Sequence, residues 1–291
     1  MPDDQAPVDE RAAADERAAA DERAQPTSID TTKPSIARSY DAVLGGKDNF
    51  EVDRALVEQY LQILPEVRTL AVANRAWLTR VVRFLTEEAG IDQFLDVGAG
   101  LPTQDNTHQV AQRSNPGARV VYVDNDPACQ AFGRALLEED ERTRFVDGDL
   151  TDPAELLRNP GVIKHLDWNR PVGLIQCATF HHVTDAQDPQ RIMADYVDAL
   201  PAGSYAALTH FYDPEDGGYS SGKARDLQQL GQDSGMNSGF WRTRREIAPY
   251  FEGLELVDPG LALLRDWRPD SGTPAGDDSD ELFLGGVGRK P

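Results

Sequence analysis

The chain is short of cysteine, of basic residues and of long apolar runs, and each shortage excludes something. Cys129 and Cys177 are its two cysteines in 291 residues. They are too few for a disulfide framework, and neither lies near a second plausible thiolate ligand, so both are expected to be buried thiols in a reducing cytoplasm. No stretch approaches the roughly 18 apolar residues that a membrane span requires. The first residues, MPDDQAPVDE, are acidic and lack the apolar segment of a secretory signal, so a cytoplasmic location is expected. Lys and Arg number 29 against 50 Asp and Glu, a formal charge of −21. Nucleic-acid binding depends on neutralising phosphates, and a field of this sign repels a polyanion. Arg242, Arg244 and Arg245 form a local basic cluster, read as the solvated start of a helix. There is no G-x-S-x-G elbow and no Walker loop, which removes support for hydrolase and kinase chemistry. No His, Cys and Asp cluster has metal-ligand spacing.

What is present organises itself in three parts. Residues 9–24 read DERAAADERAAADERA, a six-residue repeat with no apolar stripe, so residues 1–30 are expected to form a disordered tail, with docking to a partner as the alternative. Residues 31–90 are expected to form a helical cap. Ser35 to Phe50, SIARSYDAVLGGKDNF, shows no clean period, whereas Glu51 to Leu64 reads as a helix. A longer helix follows Pro65, with Leu70, Ala73, Trp77, Val81 and Leu85 at helical spacing and Gly90 closing it. Residues 91–291 then alternate strand and helix. FLDV (94–97), VVYV (120–123), RFV (144–146), VGLIQCA (172–178) and SYAALTHF (204–211) are short apolar runs. Asp105 to Ser114, Pro127 to Glu139, Pro153 to Asn159 and Pro189 to Leu200 are the helices between them. Such alternation specifies an α/β fold with a parallel, doubly wound sheet. Thr243-Arg-Arg-Glu246 is a capping box, and LELVDPG with the closing ELFLGGVGRK suit an antiparallel edge hairpin.

In such a sheet, ligands bind at the carboxyl ends of the strands where strand order reverses. The first strand ends in Asp96-Val-Gly98-Ala-Gly100, whose glycines allow a tight turn and close approach to a ligand. The second ends in Asp124-Asn125-Asp126, where a carboxylate can accept hydrogen bonds from both hydroxyls of a ribose. The third ends in Asp147-Gly-Asp149-Leu150, which would put an acid beside an adenine amino group. Each acid has a plainer reading: Asp96 satisfying turn donors, Asp124 or Asp126 capping the helix at Pro127, and Asp149 capping the next one. A dinucleotide would set its pyrophosphate on the helix N-terminus after the loop, but Pro102 and Asp105 stand there, and a carboxylate repels it. S-adenosylmethionine carries no phosphate, and its ammonium and sulfonium tolerate acids, so the loop favours it over NAD.

FLDVGAGLPTQDNTHQVA (94–111), VVYVDNDPA (120–128) and ARSYDAVLGGKDNFEVDR (37–54) together resemble an actinobacterial family of S-adenosyl methyltransferases long carried as a domain of unknown function. The resemblance continues through ANRAWLTRVVRFL, ATFHHVTD, GSYAALTH and GGVGRKP, and covers about residues 34 to 291. It implies a class I, Rossmann-like methyltransferase fold, with a mixed sheet of about seven strands, helices on both faces and an antiparallel last pair. It also implies cofactor contacts at Asp96, Gly98, Gly100, Asp124 and Asp149. The fourth strand, LIQCATFHH, departs from the expected aliphatic run at Gln176 and Thr179.

Methyl transfer from a sulfonium needs alignment and, for some acceptors, removal of a proton. His182, just past the fourth strand, is the first choice of base, with His181 and His210 behind it; the plainer reading packs each into the loop or core. His181 and His182 are adjacent, so on a loop their side chains are expected to diverge. Asn125, Leu150 and Thr179 join the cofactor candidates. Tyr40, with Lys47, Asp48 and Asn49, is expected to fold over the sheet's mouth and shield the sulfonium, or else to belong to a turn. Phe211, Tyr212 and the Gly217-Gly218 loop are candidate walls of an acceptor pocket, or core. The leading expectation is S-adenosylmethionine-dependent methylation of a small molecule. Its rivals are a non-catalytic S-adenosylmethionine-binding regulator, an NAD-dependent oxidoreductase, and a methyltransferase of protein or nucleic acid.

Overall fold

A computed structural model describes residues 29–138, 140–271, 273 and 281–291; the acidic repeat of residues 9–24 lies outside the described residues. Residues Thr31–Pro291 form one unit, in which three helices precede the sheet: α1 (Ile36–Leu44), α2 (Glu51–Ile63) and α3 (Val67–Glu87). The alternating part supplies β1 (Gln93–Val97), α4 (Thr107–Ser114), β2 (Arg119–Asp124), α5 (Pro127–Leu136), β3 (Thr143–Asp147), α6 (Pro153–Leu156) and α7 (Pro160–His165). It continues through β4 (Gly173–Gln176), α8 (Pro189–Ala199) and β5 (Tyr205–Phe211). The last section holds α9 (Tyr219–Gly231), α10 (Arg244–Ile247), β6 (Glu255–Leu256), β7 (Ala262–Leu263) and β8 (Phe283–Arg289).

The strands lie in the order β3-β2-β1-β4-β5-β8-β6, with β7 also paired to β8. β1 to β5 are parallel, and β8 inserts antiparallel between β5 and β6. This is the Rossmann-like arrangement, with an antiparallel strand near one edge, that the resemblance implies. The chain winds outward from β1 in one direction and from β4 in the other, so their carboxyl ends flank the crevice.

Local chemistry sets the boundaries. α5, α6, α7 and α8 each begin with an Asp or Asn cap followed by proline, at Asp126, Asp152, Asn159 and Asp188. The cap oxygen accepts a free N–H, and proline at the first helical position has no N–H to lose. The helix expected at 153–159 ends as α6 at Leu156, and Asn159 with Pro160 starts a further helix, α7, that was not anticipated. The aperiodic segment after Ser35 is helical after all: Ser35 caps α1, and Gly45 at φ 80° ends it. The helix expected from Asp105 begins at Thr107, since Asp105 sits at φ 55°. α9 was not anticipated, and LELVDPG yields only the two residues of β6.

One sheet face buries Leu95, Val97, Val121, Val123, Leu174 and Leu208 against Met193 and Tyr196 of α8 and Val162 of α7. On the other, α3 crosses β5 and β8. Its Trp77 lies over Gly285, where a Cβ would come within 2.7 Å of the indole, and meets Trp267 edge-on at 5.7 Å. Among the described residues no helix is long and apolar enough to cross a membrane.

Candidate active site

A cavity of about 610 Å³ opens at the carboxyl ends of β1 and β4, roofed by α1, α2 and α9. Its floor is the loop after β1. Gly98 and Gly100 sit at φ 73° and 69°, and the Gly98 and Ala99 N–H groups donate to the Val123 carbonyl at 2.8 and 3.0 Å. A Cβ at Gly98 would lie 2.4 Å from Thr179 Cγ2, so glycine is required there for space as well as for its dihedral.

At the end of β2 the Asp124 carboxylate accepts Gly100 N–H at 2.8 Å and Asp126 N–H at 2.9 Å. Burial nevertheless raises its pKa above the usual carboxylate range. Asp126 caps α5 by accepting Ala128 N–H at 2.7 Å, and its other oxygen accepts the Ser35 hydroxyl at 2.5 Å, tying the start of α1 to the strand end. Asn125 is exposed on the rim. After β3, Asp149 holds Thr151 through its N–H and hydroxyl, both at 2.8 Å, while Asp152 rather than Asp149 caps the following helix. Gly148 and Leu150 complete this side.

Asp96 is placed differently. It is buried below the loop, off the cavity lining, and accepts the Thr107 hydroxyl at 2.6 Å. Desolvation pushes its pKa up to about 6.

The end of β4 carries Cys177, Ala178 at φ 61°, Thr179, and a short helical turn, Phe180–His182. A left-handed alanine stores roughly 1–2 kcal/mol, a level of strain that concentrates at functional sites. A hydrogen-bonded chain holds it. Ala178 N–H donates to Thr209 Oγ1 (2.8 Å), and the Thr209 hydroxyl donates to Asn74 Oδ1 (2.8 Å). Asn74 Nδ2 donates to the Tyr40 hydroxyl (3.0 Å), which donates to the Ala71 carbonyl (3.2 Å). The chain runs from the sheet through α3 to α1 and fixes Tyr40 on the cavity wall. Burial raises the Tyr40 pKa to about 12, so it stays a neutral phenol.

The three candidate bases part company. His181 and His182 both line the cavity, and their rings approach to 4.3 Å at 67° rather than diverging, because a helical turn replaces the expected loop. His182 Nδ1 pairs with the Ser238 hydroxyl, and burial lowers its pKa to about 4. His181 stacks on Phe211 at 3.5 Å; its Nδ1 is buried without a partner, and burial drives its pKa well down. His210 is not brought to the cavity. Its Nδ1 contacts the Phe211 carbonyl at 2.7 Å and its Nε2 contacts Arg242 at 2.9 Å, so both nitrogens are engaged in the core. Arg242, expected on a solvated helix start, is buried and also donates to the Phe180 and Val183 carbonyls, anchoring the turn beneath the histidines. Phe211 lines the cavity and Tyr212 does not.

Sequence reasoning missed Asn74, Arg75, Ser238 and Trp241, all on the lining. Arg75 is the one Lys or Arg there among the described residues, and its Nη2 reaches the Gln104 and Asp105 carbonyls at 3.1 and 3.0 Å. Its signal was available, since Asn74 and Arg75 fall in the helix that packs on the strand ends; their polar character placed them outside the apolar stripe.

A profile described as S-adenosyl methyltransferase matches residues 22–291. The chain belongs to the S-adenosyl methyltransferase family. Among solved structures, a methyltransferase candidate from Thermobifida fusca YX is 41% identical, over 92% of this chain and 98% of that one, with a TM-score of 0.84. A DUF574 family protein from Streptomyces avermitilis MA-4680 is 37% identical, over 91% and 100%, with a TM-score of 0.85. A search of curated proteins returned no match. The protein is therefore an S-adenosylmethionine-dependent methyltransferase. The cavity suits that cofactor: it is lined by carboxylates, its floor holds Gly98 where a Cβ would meet Thr179, and the Thr179 hydroxyl is buried without a partner.

Proposed function

We propose that this methyltransferase acts on a small molecule enclosed with the cofactor in the one cavity. The observation that carries this reading is the cavity's extent: it runs without interruption from Asp124 and Asp149 to His182 and Trp241, beneath α1 and α2. A site of this size takes the cofactor and a compact acceptor, not a folded macromolecule, and the charge of −21 adds repulsion of nucleic acid.

In this reading Asp124 accepts the ribose hydroxyls, with Asn125 beside it, and Asp149 and Leu150 flank the adenine. Gly98, Gly100 and Thr179 shape the floor, and Asp96 acts from below by fixing Thr107 and the loop. Arg75 supplies the positive partner for the methionine carboxylate. Tyr40 packs its ring toward the sulfonium end. S-adenosylmethionine, when bound, would supply an electrophilic methyl carbon with a neutral thioether as its leaving group. The protein's work is alignment and proton removal. His182 is neutral at pH 7, and with Nδ1 engaged by Ser238 it offers Nε2 to the acceptor. It is a weak base, yet sufficient, because an O–H or N–H acceptor becomes strongly acidic as it gains the methyl group.

The test is incubation with methyl-labelled S-adenosylmethionine and fractionated extracts. Label in a low-molecular-weight fraction, lost in His182→Phe, supports the reading; label in protein or nucleic acid overturns it.

A further inference from the structure

The cavity has two chemically distinct halves, and the second specifies its occupant. Towards β2 and β3 it presents Asp124, Asp126 and Asp149, with Arg75 at the glycine loop. Towards β5 and β8 the lining changes to rings and aliphatic groups. The strand register explains this, since Phe211 at the end of β5 faces Phe283 at the start of β8. Trp241, Phe211 and His181 form a three-layer stack, with Trp241 to Phe211 at 4.7 Å and 14° and Phe211 to His181 at 3.5 Å and 12°. Phe283 meets Phe211 edge-on at 5.0 Å and 75°. Leu227 and Met236, in and after α9, and Tyr60 of α2 close the opposite side.

Among the described residues no lysine or arginine lines this half, so an anionic acceptor would lose its hydration without a counter-ion. Asp41 of α1 also lines the cavity, and one of its oxygens, Oδ2, accepts both Asp48 N–H at 3.0 Å and Asn49 Nδ2 at 2.7 Å. A cationic acceptor would therefore meet a single carboxylate already committed through one oxygen to the segment after α1. Neutral polar atoms here include His181 Nδ1 and the Ser39 hydroxyl, both buried and unpartnered, the His182–Ser238 pair and the Tyr60 hydroxyl. Aromatic walls favour a flat ring through offset or edge-on contact.

We propose that the methyl acceptor is an uncharged, ring-bearing hydroxyl compound that lies against the Trp241–Phe211–His181 stack with its hydroxyl toward His181 and His182. The proposal rests on the reading that the acidic half takes the cofactor's ribose. Its hydroxyl partners the orphaned His181 nitrogen, and its ring fills the space between the stack and Met236.

The full chain is titrated calorimetrically with S-adenosylhomocysteine, and the loaded protein with 2-naphthol, 2-naphthoate and 1-decanol. The expected result is 2-naphthol binding at least tenfold tighter than 2-naphthoate and fivefold tighter than 1-decanol. Trp241→Ala should weaken 2-naphthol at least fivefold with S-adenosylhomocysteine affinity unchanged. Met236→Trp, which fills the half without touching the acidic end, should abolish 2-naphthol binding alone. Equal binding of naphthol and naphthoate overturns the proposal, as does S-adenosylhomocysteine binding with no naphthol binding. Failure of S-adenosylhomocysteine to bind the wild-type protein overturns the underlying cofactor reading instead.

Discussion

Replacing Asn74 by alanine should both destabilise the fold and loosen the cofactor site. Asn74 is buried and makes three side-chain contacts: it accepts from Thr209 and from Cys177 Sγ (3.3 Å), and donates to Tyr40. Truncation leaves the fully buried Thr209 hydroxyl with only the weak Cys177 Sγ acceptor at 3.7 Å, at about 1–3 kcal/mol, and removes one of two partners from Tyr40. A total of roughly 2–4 kcal/mol follows, and at about 2–4 °C per kcal/mol for a chain near this size the midpoint should fall by roughly 5–15 °C. Because the same chain braces Ala178 and Tyr40, S-adenosylhomocysteine should bind at least threefold more weakly. A cycle with Thr209→Val separates coupling from mere packing loss. The double variant should be less destabilised than the sum of the singles by about 1 kcal/mol or more, since either substitution already breaks the relay. Denaturant unfolding and calorimetry read both quantities. Additive effects, or a midpoint shift under about 2 °C, would refute the network as a coupled unit.

Asp124→Ala should weaken S-adenosylhomocysteine at least tenfold, about 1.4 kcal/mol; an unchanged affinity in the folded variant removes the ribose assignment. Gly98→Ala should abolish measurable binding and lower the midpoint, because its Cβ would meet Thr179 at 2.4 Å in a left-handed conformation; wild-type affinity would show that the loop yields freely. Asp96 gives a pH signature. Its folded pKa is raised from 3.8 to about 6, so the folded state holds its proton longer than the unfolded chain. The stability it contributes is full below about pH 4 and is lost as pH rises to about 6, up to about 3 kcal/mol by linkage. The melting temperature of Asp96→Asn relative to wild type should therefore rise between pH 4 and pH 7, and a flat difference would contradict the buried, desolvated carboxyl.

The sheet was legible because its strands are short apolar runs between turn signals, and a doubly wound sheet fixes where a ligand must sit. Gly98, Gly100, Asp124 and Asp149 could be named because strand ends carry the site. Asp96 is the exception: the residue before the turn faces down into Thr107, and only side-chain direction, not position in the motif, decides that. The aromatic half of the cavity was largely hidden. Its residues come from α1, α2, α9 and the segment around Trp241, brought together by tertiary packing. α1 escaped notice because Arg38, Ser39 and Asp41 are buried polar residues, satisfied in part by the Arg38–Asp53 ion pair at 2.9 Å, and so break the apolar period. His210 ranked behind His182 on sequence grounds, and the buried Arg242 guanidinium, at 2.9 Å from its Nε2, assigns it to the core.

The most direct test of the central claim is calorimetry of the purified protein with S-adenosylmethionine, S-adenosylhomocysteine and NAD in parallel. The account predicts that both sulfur ligands bind, that Asp124→Ala weakens both, and that NAD gives no heat against the acidic strand ends. Binding of NAD alone, or of sulfur ligands indifferent to Asp124, would contradict it.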